Sequence, residues 1–256
     1  MKRRKFIAAS AMGALATSSS LQAQSKTPNP MADQEILELR VYTMNFGKSG
    51  PFQPYLKETL VPALQRAGVK KSIAFREMGM SQPGKVYLLL AYASFDHMLK
   101  VQAKLKNDNV FKKASADYRK IPSANKVYAR YNTYLMQAFS GMPALKEPAD
   151  ARKLFELRIY EGHNDDAVSR KVAMFNDEEL PVFLETGLDP VFFGNLIAGP
   201  AMPALVYMVA FDSMEARDAN WKKFVDHPEW NRMKVLPKYA DSVSNIIRVF
   251  LEEIEL

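Results

Sequence analysis

The sequence predicts an α+β protein in which two tandem ferredoxin-like (βαββαβ) domains pack sheet to sheet around a shared barrel. Three observations carry this prediction. The 256 residues are 48% hydrophobic and 25% charged, a balance typical of globular domains. A set of landmarks recurs in the same order at a spacing of about 119 residues, which indicates an internal duplication. Within each copy, segments with a period of two are interspersed with segments of helical period.

The duplication is visible in the residues themselves. The run Glu38–Tyr42 (ELRVY) returns as Glu156–Tyr160 (ELRIY). Further landmarks recur in the same order: Pro62 as Pro181, Gly68 as Gly187, Val86-Tyr87 as Val206-Tyr207, and Ser94 as Ser213. Offsets that drift by only one or two residues indicate two copies of one unit with small changes in their loops.

Each copy follows the same order of elements. In the first, Leu37–Met44 alternates as a strand, and apolar residues over Phe52–Ala67 recur at helical spacing, with a kink or a restart of the helix predicted at Pro62. The other elements of this copy are strands over Ser72–Glu77, Val86–Tyr92 and Val127–Met136, and a helix from Ser94 to about Lys106. The second copy has strands over Phe155–Tyr160, Val191–Leu196, Leu205–Phe211 and Ile246–Glu252, and helices over Ala167–Thr186 and Met214–Val225.

The first 23 residues have the form of a bacterial export signal, with a basic start, a short apolar stretch and the small residue Ala23 at the expected cleavage point. The run Arg3–Ile7 resembles a twin-arginine signal, and an ordinary Sec signal is the alternative. The apolar stretch Phe6–Ala16 is shorter than the roughly 20 residues that span a bilayer. We therefore expect a periplasmic or secreted protein without a membrane anchor in its mature form. The predicted division is 1–23 signal peptide, 24–35 flexible lead, 36–139 first domain, 140–152 linker, and 153–256 second domain.

Composition excludes several classes of function. The net charge is +7, but Lys2, Arg3, Arg4 and Lys5 supply four of those charges, and no basic patch with interleaved aromatic residues predicts nucleic-acid binding. The absence of cysteine excludes disulfides, thiol catalysis and cysteine-ligated metals. The three histidines are far apart in sequence, so we expect no metal site.

Several of these motifs together resemble the NIPSNAP family. They are the repeated E-L-R-x-Y strand, the Gly47-Lys48 turn, the Pro62 and Gly68 pair, the Val-Tyr strand that leads to Ser94, and Asp226–Trp230 (DHPEW). The resemblance covers nearly all of Glu38–Leu256. It implies the dimeric α+β barrel superfamily fold, formed here as a pseudo-dimeric barrel by one chain. The biochemical function of that family is poorly defined, so the resemblance implies shape more than chemistry.

Strand alternation then predicts which side chains line the barrel. Leu39, Val41 and Thr43 share one face of the first strand, and we expect this apolar set to meet the helices. The opposite face would line the lumen in each copy: Glu38, Arg40 and Tyr42, with Glu156, Arg158 and Tyr160. Two carboxylates, two guanidiniums and two phenols in one enclosed space predict a site for a small anionic or aromatic ligand. The alternative is that each glutamate and arginine only pair with each other. Further lumen candidates are Phe75, Tyr87 or Leu88, Tyr134, Phe193 and Tyr207.

His163 is the best single candidate for a general base or a haem ligand, because it follows the first strand of the second copy near a predicted barrel mouth. The alternative is a polar turn that caps the next helix. The sequence therefore predicts an exported binding or interaction module that uses the barrel lumen and needs no cofactor. The other possibility is a small-molecule enzyme of the α+β barrel type, either cofactor-independent and monooxygenase-like or haem-linked. Further assembly into a homo-oligomer is left open.

Overall fold

The computed structural model describes residues 34–79, 82–149 and 151–256. The predicted export signal and most of the predicted lead lie outside the described residues. Over the described part of the chain, antiparallel strands form one closed barrel in the order β1-β3-β2-β8-β5-β7-β6-β4. The strands are β1 Ile36–Met44, β2 Lys71–Glu77, β3 Lys85–Tyr92, β4 Tyr128–Ala138, β5 Leu154–Glu161, β6 Asp189–Ala198, β7 Ala204–Phe211 and β8 Asn245–Ile254.

The two halves of the chain contribute equivalent arcs to this barrel. The first half supplies β4-β1-β3-β2 and the second supplies β8-β5-β7-β6. The arcs are joined at both edges by backbone pairing, for example Glu77 with Leu251 and Ala138 with Gly194. The predicted facing sheets are therefore parts of one continuous barrel, in which β1 and β5 lie on opposite sides.

Helices cover the outside of each arc. They are α1 Phe52–Pro54, α2 Val61–Ala67, α3 Phe95–Asn107, α4 Asn109–Ala114, α5 Ala116–Arg119, α6 Asp165–Met174, α7 Leu180–Glu185, α8 Met214–Asp226 and α9 Pro228–Met233. Short 3-10 turns are found at Ser123–Asn125 and Pro237–Tyr239. Among the described residues, no helix combines the length and apolar character that a membrane span requires.

The first long helix of each half contains a widened turn where the sequence predicts a kink. A π-helical segment, Tyr55–Leu60, joins α1 to α2, and a second, Phe175–Glu179, joins α6 to α7. Pro62 and Pro181 follow within the first turn of α2 and α7. Proline has no backbone N–H and cannot donate a hydrogen bond to the preceding turn of the helix. A wider turn accommodates this missing donor. The short helices α4, α5 and α9 were not predicted.

The barrel lumen is a solid apolar core. One buried cluster contains side chains from all eight strands and from no helix, so it fills the interior of the barrel. Phe75 and Phe155 meet there with ring centroids 4.9 Å apart. Two further clusters hold the outward-facing side chains of each arc together with its helices. The fold therefore has a filled lumen between two helix-covered outer layers.

The segment between the halves packs into one end of the lumen. Leu145, in the predicted linker, is 1% exposed and belongs to the lumen cluster. Its backbone N–H donates to the Glu35 carboxylate at 2.7 Å, and its carbonyl accepts from Lys71 Nζ at 2.5 Å. These bonds satisfy the backbone polar groups that a buried loop would otherwise leave unpaired.

Candidate functional site

The predicted faces of the opening strands are reversed in the structure. Leu39 and Val41 lie in the lumen cluster with Leu157 and Ile159, whereas Tyr42 packs with the helices of the first half. The predicted trios Glu38, Arg40, Tyr42 and Glu156, Arg158, Tyr160 therefore lie on the outside of the barrel, under the helices. Because β1 and β5 are on opposite sides of the barrel, the trios do not form one shared site, and the predicted lumen site is wrong.

Some of the other lumen candidates lie in the lumen, and the others lie in the outer layers under the helices. Phe75, Tyr87 and Tyr134 belong to the lumen cluster or pack against it, as predicted. Phe193 and Tyr207 instead lie in the outer layer of the second half, where their rings stack with centroids 4.8 Å apart. Leu88, the alternative to Tyr87, lies in the outer layer of the first half.

Glu156 is the centre of the polar network in the second half. Its carboxylate is fully buried and accepts from Arg158 Nε at 2.7 Å, from Arg217 Nε at 2.8 Å and from the Trp221 indole at 2.8 Å. Arg217 and Trp221 lie four residues apart on α8, so they share one face of that helix. Burial alone would raise the pKa of Glu156, but the bonds from Arg217 and the charge of Arg158 outweigh it and hold the pKa below its ordinary value.

Arg158 is held from several sides. Its guanidinium carbon lies 3.8 Å from the ring centre of Trp221, and its Nη1 donates to the Tyr160 hydroxyl at 3.0 Å. The Tyr207 hydroxyl donates to the same Tyr160 oxygen at 2.9 Å. Burial raises the pKa of Tyr207 well above its ordinary value, so this phenol stays protonated. The network fixes the orientation of Arg158 by an aromatic face and by hydrogen bonds.

A second ion pair lies beside this network. Lys171 on α6 and Glu179 in the π turn are 4% and 2% exposed, and Lys171 Nζ donates to Glu179 Oε2 at 2.6 Å. The ammonium also lies 4.4 Å from the ring centre of Phe175 and 5.4 Å from that of Trp230. Burial raises the pKa of Glu179, and Lys171 only partly opposes that rise.

These groups surround a pocket of about 520 Å³ between the outer face of β5 and its helices. That volume is in the range of small-molecule sites. The pocket is lined by Arg158, Tyr160, Lys171, Glu179, Arg217, Trp221, Phe224, Val225, Trp230, Val243, Ile246 and Arg248. Four of these residues are cationic, whereas the carboxylates in or directly beneath the pocket are Glu179 and Glu156. The pocket therefore carries excess positive charge against aromatic walls.

Two of the pocket arginines face each other across neighbouring strands. Arg158 on β5 is the register partner of Arg248 on β8. Like charges directly opposite each other in a sheet are destabilising. Arg248 is exposed and forms no ion pair with any residue of the described ranges. Glu156 balances the charge of Arg158, so Arg248 is the positive charge at the edge of the pocket that no carboxylate of the described ranges pairs with.

The equivalent place in the first half is closed. Arg40 is paired with Glu38 through two bonds, Nε to Oε1 at 2.7 Å and Nη2 to Oε2 at 3.0 Å, and Tyr92 donates to the same carboxylate at 2.8 Å. Tyr42 packs among three other rings, with centroids 4.8 to 5.1 Å away: Phe52, Tyr128 and Tyr131. Burial raises the pKa of Tyr42 to about 12. In this half, Glu38 and Arg40 pair with each other, which is the alternative that the sequence analysis gave to a ligand site. Both residues lie on the same strand, β1.

Strand register explains why the place equivalent to the pocket is filled in the first half. The partner of Arg40 across β1 and β4 is Thr133, where Arg158 has Arg248. The partner of Tyr42 is Tyr131, where Tyr160 has Ile246. The first half thus lacks the arginine pair and fills the space with a ring. Sequence reasoning missed five residues of this region, although a position-by-position comparison of the two halves would have singled them out: Lys171, Glu179, Arg217, Trp221 and Arg248.

The histidines lie away from this pocket. His163 is exposed in the turn between β5 and α6 and does not line the pocket, so the geometry does not favour it as a general base. The His97 ring accepts from the backbone N–H of Ala93, and His227 caps α9 and contacts Glu185 at 3.2 Å. No histidine lines the pocket, so it does not fit a histidine-ligated haem. Within residues 34–79, 82–149 and 151–256, no cluster of His, Cys, Asp and Glu is arranged to hold a metal ion.

Comparison with known proteins supports part of the predicted resemblance. Residues 155–251 match the NIPSNAP family model, and this stretch contains every residue that lines the pocket. None of the curated proteins is similar enough in sequence to count as a match.

Solved structures share the fold at low sequence identity. A "putative monooxygenase" from Lactobacillus acidophilus NCFM is 11% identical and has a TM-score of 0.56, with 86% of this chain and 94% of that chain covered. A protein of the same description from Fusobacterium nucleatum is 8% identical, with a TM-score of 0.58 and coverage of 87% and 93%. An anthrone oxidase-like protein is 9% identical, with a TM-score of 0.55 and coverage of 88% and 93%. These likenesses establish a mixed α+β fold with an eight-stranded antiparallel barrel.

Proposed function

We propose that the protein is a binding module for a small anionic ligand with a flat, apolar body, and that the ligand occupies the pocket of the second half. One observation carries this proposal: Arg248 is exposed and without an ion pair in the described part of the chain, and it lies directly opposite Arg158, which shares its only carboxylate, Glu156, with Arg217. An anion placed against both guanidiniums would relieve their repulsion and gain charge-assisted hydrogen bonds. The aromatic walls provided by Trp221, Trp230 and Phe224 suit a planar ligand.

Tryptophan fluorescence can report ligand binding in this pocket. The chain has two tryptophans, Trp221 and Trp230, and both line the pocket. A titration that follows intrinsic tryptophan fluorescence therefore observes this pocket. Benzoate and phenyl phosphate should change the emission in a saturable way, and the uncharged analogue benzamide should bind much more weakly.

The variant Arg248→Thr gives the second half the residue that the first half has at the equivalent position, Thr133. Because Arg248 is exposed, the change removes charge without leaving a cavity. A charged hydrogen bond contributes about 1.5 to 3 kcal/mol, so benzoate should bind roughly ten- to a hundredfold more weakly. The matched control is Arg130→Thr, which removes an exposed arginine from β4. Equal effects of both variants on benzoate binding would contradict the proposed site.

Catalysis on the bound ligand is the second candidate function. The buried Lys171–Glu179 pair in the pocket favours it, because a buried pair beside a ligand can move a proton. A protein described as a putative monooxygenase and an anthrone oxidase-like protein share this fold. Oxygen uptake in the presence of an anthrone is therefore the assay. Uptake that depends on Lys171 and Glu179 would favour the enzyme.

We propose in addition that the chain is exported and that its halves are two copies of one ferredoxin-like unit. The identical strand order of the two arcs supports the second statement. The first rests on the form of residues 1–23, and the twin-arginine route predicts that the double change of Arg3 and Arg4 to lysine leaves the protein in the cytoplasm. Export that is unaffected by this change would favour the Sec route. Light scattering of the purified protein tests whether it assembles further into a homo-oligomer.

A further inference from the structure

Lys171 is a buried amine on the wall of a ligand-sized pocket. It is 4% exposed, and its Nζ contacts Glu179 Oε2 at 2.6 Å and Met174 Sδ at 3.4 Å. Three aromatic rings surround it, with centres 4.4 to 5.9 Å from Nζ: Phe175, Trp230 and Tyr160. Burying a charged group this deeply is unfavourable unless it is well paired.

The fold itself does not require this ion pair. In the duplicated sequence, Lys171 corresponds to Phe52 and Glu179 to Leu60, by the same offset that aligns Pro181 with Pro62. Phe52 and Leu60 are 2% and 6% exposed, and they pack in the outer core of the first half. An apolar pair thus fills the equivalent place in the closed half. The charged pair occurs in the half with the pocket, which points to a role in that pocket.

We propose that Lys171 is a nucleophile that forms an imine with the aldehyde or ketone carbonyl of a ligand whose anionic group lies against Arg158 and Arg248. This inference rests on the proposed anion site and adds a covalent step to it. Lysine amines in apolar pockets near other cations are the ones that react in this way.

The step is balanced without an oxidant or a reductant. The Lys171 ammonium transfers a proton to Glu179, and the nitrogen lone pair attacks the carbonyl carbon. A C–N bond forms while the carbonyl electron pair moves to oxygen, which takes up protons and leaves as water when the C=N bond forms. The ammonium and the carbonyl compound thus yield a protonated imine and one water. Burial raises the pKa of Glu179, which suits a carboxylate that must hold the proton for part of this sequence.

The geometry also limits the size of the ligand. The Tyr160 ring lies 5.9 Å from Lys171 Nζ, and its hydroxyl accepts from Arg158 Nη1 at 3.0 Å. The amine thus lies over the face of the Tyr160 ring and the guanidinium lies at its hydroxyl end. A ligand that reaches both groups must hold its carbonyl and its anionic group about one aromatic ring apart. 4-Carboxybenzaldehyde has this arrangement and is the appropriate probe.

The experiment traps the imine by reduction. The full-length protein is incubated with 4-carboxybenzaldehyde and sodium cyanoborohydride, and peptide mass spectrometry locates the adduct. We expect Lys171 to be modified well before the exposed lysines Lys222 and Lys234. 4-Methylbenzaldehyde, which lacks the carboxylate, should lose this selectivity. Glu179→Gln should slow the modification of Lys171, because the amide cannot take up the proton.

A double variant serves as the negative control. Lys171→Met with Glu179→Leu removes both charges together, as in the first half, and leaves no unpaired charge buried. This variant should fold, as judged by its circular dichroism, and should show only the slow modification of surface lysines. Modification of wild-type Lys171 no faster than of Lys222 would overturn the proposal. Benzoate titration of the wild type separates the two ideas, since saturable tryptophan quenching without selective labelling refutes the imine and leaves the anion site standing.

Discussion

Removal of the charge on Glu156 should destabilise the fold and strengthen anion binding at the same time. Glu156→Gln keeps the size of the side chain but leaves Arg158 and Arg217 without the carboxylate that both contact. Breaking a buried ion pair costs about 3 to 5 kcal/mol, and the lower value applies because these arginine side chains keep 10% and 14% of their exposure. In a protein of this size, each kcal/mol lowers the Tm by about 2 to 4 °C, so we expect a loss of about 6 to 12 °C.

Thermal unfolding followed by circular dichroism measures this loss. The matched control is Glu38→Gln, which removes a carboxylate that holds one arginine instead of two and should cost less. Because the pKa of Glu156 is lowered in the folded state, its stabilising effect is present above its unfolded pKa and disappears as the pH falls through the folded value. The difference in Tm between wild type and Glu156→Gln should therefore be full at neutral pH and shrink in acid.

The same variant should bind benzoate about tenfold more tightly, since removing one negative charge beside the pocket is worth about 1.4 kcal/mol at intermediate dielectric. A Tm no lower than that of Glu38→Gln, or benzoate affinity that falls, would refute the role assigned to Glu156.

Three further predictions concern packing and stoichiometry. Gly194→Ala should lower the free energy of unfolding by about 1 to 3 kcal/mol in urea titrations, because a Cβ there would lie 2.7 Å from Met136 Cβ, whereas Gly50→Ala meets open space and should change little. Leu145→Ala should cost about 2 to 5 kcal/mol by opening a cavity at the end of the lumen, and a loss under about 1 kcal/mol would mean that the linker does not close the barrel. Calorimetry should give one benzoate per chain, and a value of two would show that the aromatic filling of the first half does not exclude the ligand.

The order of the strands and the main helices could be predicted from the sequence. Which face of each strand packs against the helices could not. Alternation correctly places Glu38 with Arg40 and Leu39 with Val41. It cannot decide which set meets the helices, because both faces of a closed, helix-covered barrel are buried. The lumen cluster consists of hydrophobic side chains, whereas the helix layer of the second half supplies Arg217 and Trp221 as partners for Glu156. The polar set therefore faces the helices, and the apolar set fills the lumen.

The pocket could have been found from sequence only by contrasting the two halves of the chain. Lys171, Arg217 and Arg248 are ordinary surface residues by composition, and no motif contains all three. Each becomes informative when the first half has an apolar or neutral residue at the equivalent position, as Phe52 is the equivalent of Lys171. The π turn before Pro181 could not be anticipated either, since proline predicts a disturbed helix but not the kind of disturbance.

Because one chain forms both halves of the barrel, the two halves need not have identical outer layers. Two identical subunits around such a barrel would have to carry identical outer layers, so any change that opens a pocket on one side would open it on the other. In a single chain, each arc is free to diverge. Here the arc around β1 has become a closed aromatic layer and the arc around β5 an open, charged one. The filled lumen lies between them, so substitutions in the pocket need not disturb the closed aromatic layer on the other side of the barrel.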